Sequence, residues 1–270
     1  MIFLLSGKYL AVLRTNWIQA LEYRANAIVG LLAIISGLFI EYQIWTLIFS
    51  IQGYETLNGF TFNELIVFIF LSIVVGQLKS SWISSGEMIR GIRSGDINKY
   101  LIRPISYFWY HFMMFLGVNS LFYIVYSFML LIFVFIFPNM LFPTIFNFVG
   151  FVGALFLSIY LSYCVYFIMV CFAFWFGEVR SLVVSYNLAM LFISGQYIPI
   201  RFFPDKVLDI LYWTPIRYLV DFPVSIATGL LPMGEWISGF IGAIIWCLLL
   251  SLGSSIIYKI GIKNYEAYGS

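Results

Sequence analysis

The chain reads as an all-α membrane protein, and three observations predict it. Hydrophobic residues fill 63% of the 270 positions and charged residues only 10%, against about 25% charged in a soluble domain. The mean hydropathy is +0.99, more apolar surface than a soluble fold of this size can hide. The apolar runs are about twenty residues long and do not alternate. That suits helices crossing roughly 30 Å of hydrocarbon, not the roughly ten-residue alternating strands of a barrel. Lipid allows only those two architectures, because the backbone must satisfy its own hydrogen bonds there.

Residues 1–24 interrupt their apolar positions with Lys8, Arg14, Glu22 and Arg24. This predicts an N-terminal amphipathic interfacial helix, its cations among the lipid head groups. The opening MIFLLSGKYLAVLRTNW does not read as a signal peptide, since its basic residues follow the first apolar run. Six transmembrane helices are expected at 25–51, 64–85, 107–137, 145–176, 182–198 and 236–258, all within one domain spanning 1–270. Lys79, near the polar end of the second span, is placed to snorkel. Pro138, Asn139 and Pro143 mark the turn after the third span. The segment 199–235 is less apolar and holds five of the eight prolines. Asp205–Trp213 and Ile216–Thr228 read there as two short helices, with Pro204 at the first helical position of one and Gly229 closing the other. Too short to span, they are either extracellular re-entrant helices covered by protein or a plain outer loop.

Six spans put both termini on one side of the membrane. Eleven of the 14 Lys and Arg residues then share that side, leaving only Arg201, Lys206 and Arg217 opposite. Cytoplasmic loops carry the excess of Lys and Arg, so both termini and the loop 86–106 are expected in the cytoplasm.

That loop is the most informative stretch. Glu87, Arg90, Arg93, Asp96, Lys99 and Arg103 charge it, whereas Pro104 to Gly177 contains no Asp, Glu, Lys or Arg. Ser94-Gly95 should break the helix that leaves the second span. Asp96 is a candidate N-cap for a short helix Ile97–Ile102, ended by Arg103 ahead of Pro104. Ile97, Tyr100 and Leu101 stand at i, i+3 and i+4, on one face. Two readings fit: a solvated loop that sets topology, and an amphipathic knob onto which a soluble partner docks. Glu178 and Arg180, in a tight turn on the same side, either pair with this loop or cap helices.

Elsewhere polar chemistry is sparse. Cys164, Cys171 and Cys247 lie in apolar runs without C-x-x-C spacing and read as small core hydrophobes. His111, the single histidine, has no neighbours in sequence with which to ligate a metal, and a head-group contact is expected. Glu41, in the outward half of the first span, is either hydrated at the interface or lines a substrate path or a seam between subunits. Asn119, Asn187 and Gln196 read as interhelical hydrogen-bonding amides. The net charge of +2 forms no single basic patch, so no nucleic acid is expected as partner.

The passage RSGDINKYLIRPIS, through Gly95, Ile97, Tyr100, Leu101, Arg103 and Pro104 and with Ile92 just before it, resembles the cytoplasmic loop of bacterial ATP-binding-cassette type-2 permeases of a six-span branch. Ser194-Gly195, Pro199 and Phe203-Pro204 resemble a later passage of that family, Pro215 and Pro223 fit its next helices, and NYEAYGS resembles its tail. The chain departs from it in Gly269-Ser270, where the family has a glycine pair, and in Glu41.

The resemblance implies a coupling helix seated in a groove of a cytoplasmic ATPase. Glu87, Arg90, Arg93, Asp96, Ile97, Lys99, Tyr100, Leu101 and Arg103 are the implied docking residues. It also implies short helices serving as an external gate. Glu41, Gln43, Gln196, Tyr197 and Phe203 are the candidates for the gate or substrate path. The chain has no G-x-x-x-x-G-K-[ST] phosphate cradle. No catalytic centre, metal or cofactor of its own is therefore expected; ATP and Mg²⁺ belong to a separate ATPase dimer. A second permease subunit, the same or homologous, and membrane lipid complete the implied partners, in a bacterial cell membrane. The function so implied is ATP-driven export. With 29 Phe and 19 Tyr, a hydrophobic or amphiphilic substrate such as a lipid, drug or peptide suits it. Two other classes stay open: a polytopic enzyme acting on a lipid, which should cluster Asp, Glu or His at a membrane face, and a non-transporting immunity or sensor subunit.

Overall fold

A computed structural model of the chain describes residues 7–22, 24–138 and 140–265. The expected interfacial helix therefore falls partly, and the tail motif mostly, outside the described residues, as does Asn139 of the turn after the third span. Among the described residues the regular structure is helical, apart from an isolated bridge between Leu57 and Phe60.

Helix α1, Gly7–Glu22, precedes α2, Arg24–Gln52, which covers the run expected as the first span. The polar loop after it ends in a capping box: the Glu64 amide donates to Thr61 Oγ1 (3.4 Å), and the Thr61 amide to Glu64 Oε2 (2.9 Å). Helix α3, Phe62–Leu78, comes next and is buried on nearly every side, as a helix apolar all round must be.

The apolar run Glu64–Ser85 predicts one unbroken second span. Instead α3 stops at Lys79, and α4, Trp82–Arg93, restarts after Ser80-Ser81. Ser81 stands at the N-cap of α4 but its side chain makes no capping hydrogen bond. Lys79 does not snorkel either: α3 packs against α2, α7 and α12, and Lys79 at its end is only 5% exposed.

Helix α5, Asn98–Leu101, is a single turn. The run expected to be the third span is two helices, α6, Tyr107–Val118, and α7, Ser120–Ile136, bent by 47°. The bend has a local cause. Asn119 Nδ2 donates to the Phe115 carbonyl (3.0 Å) and Ser120 Oγ to that of Gly117 (2.5 Å), so side chains engage carbonyls of the helical ladder. Helix α8, Ile145–Cys171, continues after Phe172 into α9, Ala173–Phe176.

The fifth apolar run predicts a helix over 182–198. The helix α10 covers Arg180–Ile193 and ends at Ser194, where Gly195 takes φ +87°. Next come a 3-10 turn at Ile200–Phe202, α11 at Asp205–Trp213, a second 3-10 turn at Pro215–Leu219 and α12 at Asp221–Ala227. Helix α11 has the bounds read from sequence, but Pro204 caps it instead of occupying its first position. Helix α13, Met233–Lys263, closes the described fold.

Among the described residues three helical stretches, 28–51, 145–176 and 233–263, are long and apolar enough to cross a membrane, with α6 and α7 a fourth if taken as one span. Helices α3 and α10 are apolar but shorter.

Helix α8 is the axis. One core packs α3, α8, α12 and the 3-10 turns before α12; the other packs α4, α6, α8 and α9. Ser158 Oγ donates to the Leu219 carbonyl (2.6 Å), and Asn147 Nδ2 to that of Ile226 (2.7 Å), so the short elements between α10 and α13 are bolted to α8.

Candidate functional site

Helix α4 sorts its residues by period. Met88, Ile89 and Ile92 are buried in the second core, while Glu87, Arg90 and Arg93 face solvent. The helix ends at Ser94, where Gly95 takes φ +84°, a conformation that side chains with a Cβ rarely adopt. Asp96 does not cap the short helix after it. Its carboxylate accepts from Ser94 Oγ (3.0 Å) and lies 3.9 Å from Lys99 Nζ, and α5 begins only at Asn98.

The expected apolar face also divides. Ile97 is 1% exposed, packed in the core with Met88, Ile92 and Phe115. Tyr100 is half-buried, its ring 4.9 Å from that of Tyr110 and 5.1 Å from that of Tyr107. Burial, reinforced by Tyr110 and by the Asp96 carboxylate, raises the Tyr100 hydroxyl well above the ordinary phenol value, so it stays protonated. What faces outward is Leu101 and Ile102, 50% and 84% exposed, with Arg103 beside them. Ile102 is not among the residues that sequence spacing singles out; its position beside the single-turn helix exposes it.

Three clasps hold this loop. Glu178 pairs with Arg93 and also accepts from the Arg180 amide (3.1 Å), so both roles proposed for that turn occur together. Tyr265 Oη donates to the Ile92 carbonyl (2.9 Å). At the far end Lys8 donates to the Pro104 carbonyl, and the Ser106 amide donates to Tyr9 Oη (3.1 Å). Helix α1 can reach because Gly117 of α6 offers no side chain. A Cβ there would lie 2.7 Å from that of Asn16 and 2.8 Å from the Leu13 carbonyl.

A cavity of about 300 Å³ opens between α4, α5 and α6, lined by Glu87, Arg90, Lys99, Tyr110 and His111 among others. His111, expected among lipid head groups, is instead 6% exposed, its ring beside those of Tyr100, Tyr107 and Tyr110. The folding of α5 back over the start of α6 covers it.

The second candidate group divides more sharply. Glu41 accepts from Trp45 Nε1 one helical turn on (3.0 Å), and Tyr197 is half-buried against the core that contains Trp45. Trp45 packs edge-on against Phe202 at 5.6 Å. Gln196 is buried against Gly76 of α3, where a Cβ would run into its carboxamide. Gln43 is exposed and joins none of these contacts, while Phe203 is half-buried at the end of the 3-10 turn. Trp45 and Phe202, which join α2 to this segment, carry no distinguishing signal in the sequence, because large aromatics are ordinary membrane filler.

A family model described as ABC-2 family transporter protein matches residues 25–269, nearly the whole chain. No curated protein matches it.

Proposed function

The chain belongs to the ABC-2 family of transporter proteins, and from that premise we propose that it is the membrane subunit of an ATP-driven exporter, docking its ATPase through the loop 87–104. Membership implies partnership with an ABC ATPase. The finer reading is a six-span permease with cytoplasmic termini, paired with a second permease, in a bacterial cell membrane. It moves a hydrophobic or amphiphilic substrate, while ATP and Mg²⁺ are bound by the partner.

One observation carries the docking role. Leu101 and Ile102 are apolar, outward-facing and flanked by Lys99 and Arg103, on a turn anchored from beneath by Ile97 and Tyr100. An exposed apolar pair held rigid is costly in water and useful against a partner. Burying each such side chain is worth about 1.5–3 kcal/mol, so replacing both with Asp should weaken docking by about a hundredfold or more. Co-purification of the Leu101→Asp, Ile102→Asp double variant with its partner ABC ATPase, and its ATP-driven export in vesicles, test this. Retention of both activities by a folded double variant overturns the reading. The gate residues Glu41, Gln196, Tyr197 and Phe203 keep their proposed role, with Gln43 at the edge of the group, and Glu41→Gln should alter transport.

A further inference from the structure

Between α10 and α13 lies a polar cavity of about 440 Å³, lined by Arg201, Tyr212, Arg217, Asp221, Ser225 and Glu235, with Leu230, Leu231 and Pro232 completing the wall. It shares no residue with the docking loop, so its chemistry is independent of the docking role. Its charges cancel: two guanidinium groups against two carboxylates. Yet the groups do not satisfy one another. Arg217 Nε stands 4.0 Å from Asp221 Oδ2, whereas a closed charge-assisted pair sits at about 2.7–2.9 Å. Asp221 is 5% exposed and Ser225 2% exposed, and among the described residues Asp221 Oδ1, Ser225 Oγ and Arg217 Nε have no hydrogen-bond partner. Buried polar atoms are nearly always paired, and three left open along one wall mark a place for a ligand. Asp221 and Ser225 stand one helical turn apart on α12 and both line the cavity. Arg217 stacks over Tyr212, its Cζ 4.4 Å from the ring centre, and Arg201 Nη2 donates to the Leu230 carbonyl (3.2 Å), so both cations are held in place.

A site offering both signs at short range suits a ligand that carries both. The flanks say where it comes from. Ile210 and Trp213 on α11, and Met233 and Ile237 on α13, are 66%, 83%, 52% and 71% exposed. They flank Tyr212 and Glu235 in sequence, and the polar Asp205, Lys206 and Asp209 share α11. Exposed tryptophan and isoleucine beside charge is the composition of a membrane interface. We propose that this cavity binds the head group of a membrane phospholipid bearing a primary amine. The phosphate meets Arg201 and Arg217, the ammonium meets Asp221 and Glu235, and Ser225 adds a hydroxyl contact. A quaternary ammonium cannot donate to Asp221, and an anionic head group without an amine leaves both carboxylates unanswered, so the site discriminates among head groups.

The full chain, purified in detergent, is to be titrated with dihexanoyl phosphatidylethanolamine, phosphatidylcholine and phosphatidylglycerol, and with water-soluble glycerophosphoethanolamine, reading bound lipid by native mass spectrometry. The ethanolamine lipid should bind about tenfold or more tightly than the other two, matching the loss of one charge-assisted hydrogen bond. Asp221→Asn should erase that preference, Arg217→Gln should weaken binding of all three lipids, and Arg217→Lys should restore part of it. Should Asp221→Asn fail to fold, Glu235→Gln, at an exposed position, carries the same test and should reduce the preference. Equal binding of the three lipids, or a preference that survives in every folded carboxylate variant, overturns the proposal. Glycerophosphoethanolamine binding as tightly as the lipid assigns the cavity to a soluble zwitterion and also overturns it.

Discussion

Asp221 shows how one residue takes its character from its surroundings. Burial raises its carboxyl above the ordinary carboxylate range, and Arg217 and Arg201 pull it back only in part. A raised value means that the folded protein holds the proton more tightly than the unfolded chain. Stability from this group is therefore full below about pH 4, the value for a free aspartate, and falls as pH rises through the raised value. Glu235 and Tyr212 share the cavity and complete the set of ionisable neighbours. Asp221→Asn should flatten the decline in melting temperature from about pH 4 toward neutrality, measured in detergent without added lipid; an unchanged slope assigns the decline elsewhere. The pair Arg93–Glu178 is the opposite case. Both side chains are about half exposed, and such pairs contribute about 0–1 kcal/mol, so its value lies in position more than in stability.

Among the elements, the bent pair α6–α7 and the clasped loop are the informative ones. At 1.5 Å per residue α6 is about 18 Å long and α7 about 26 Å, and a 47° bend shortens their end-to-end span by about 3–4 Å. Asn119→Ala with Ser120→Ala removes the side-chain hydrogen bonds to the Phe115 and Gly117 carbonyls and leaves the backbone ladder as their partner. Spin labels near residues 107 and 136 should then move apart by about that distance in pulsed dipolar measurements; no change would assign the bend to the packing of α1 against α6. For the loop, Tyr265→Phe removes a hydrogen bond worth about 1 kcal/mol from the Ile92 carbonyl. Hydrogen exchange should quicken over residues 87–104, with little change in the melting temperature. Faster exchange throughout the molecule would contradict a local clasp.

At the scale of the whole molecule, α8 joins two cores, one beneath the loop 87–104 and one beneath the segment between α10 and α13. A movement at Leu101–Ile102 therefore meets α8 through Ile97 and Tyr107, and α8 meets the far segment through Ser158 and Asn147. The sequence by itself determined the all-helical membrane character, because apolar runs of span length admit few other solutions. It also located the loop 87–104, because a charged stretch beside a charge-free one is visible without coordinates, and it bounded α11, whose leading proline and polar first turn are local signals. Tertiary structure alone decided which loop residues face outward. Ile97, Tyr100 and Leu101 have the same spacing signal, yet Ile97 is sealed in the core and Ile102 stands in solvent. It alone decided that Lys79 and His111 are buried and that α3 and α4 are separate helices. It alone assembled Arg201, Arg217, Asp221, Ser225 and Glu235 around one cavity. Periodicity reports the face a residue shares with its neighbours on one helix. Which face is covered depends on helices brought alongside from distant parts of the chain, and only packing settles that.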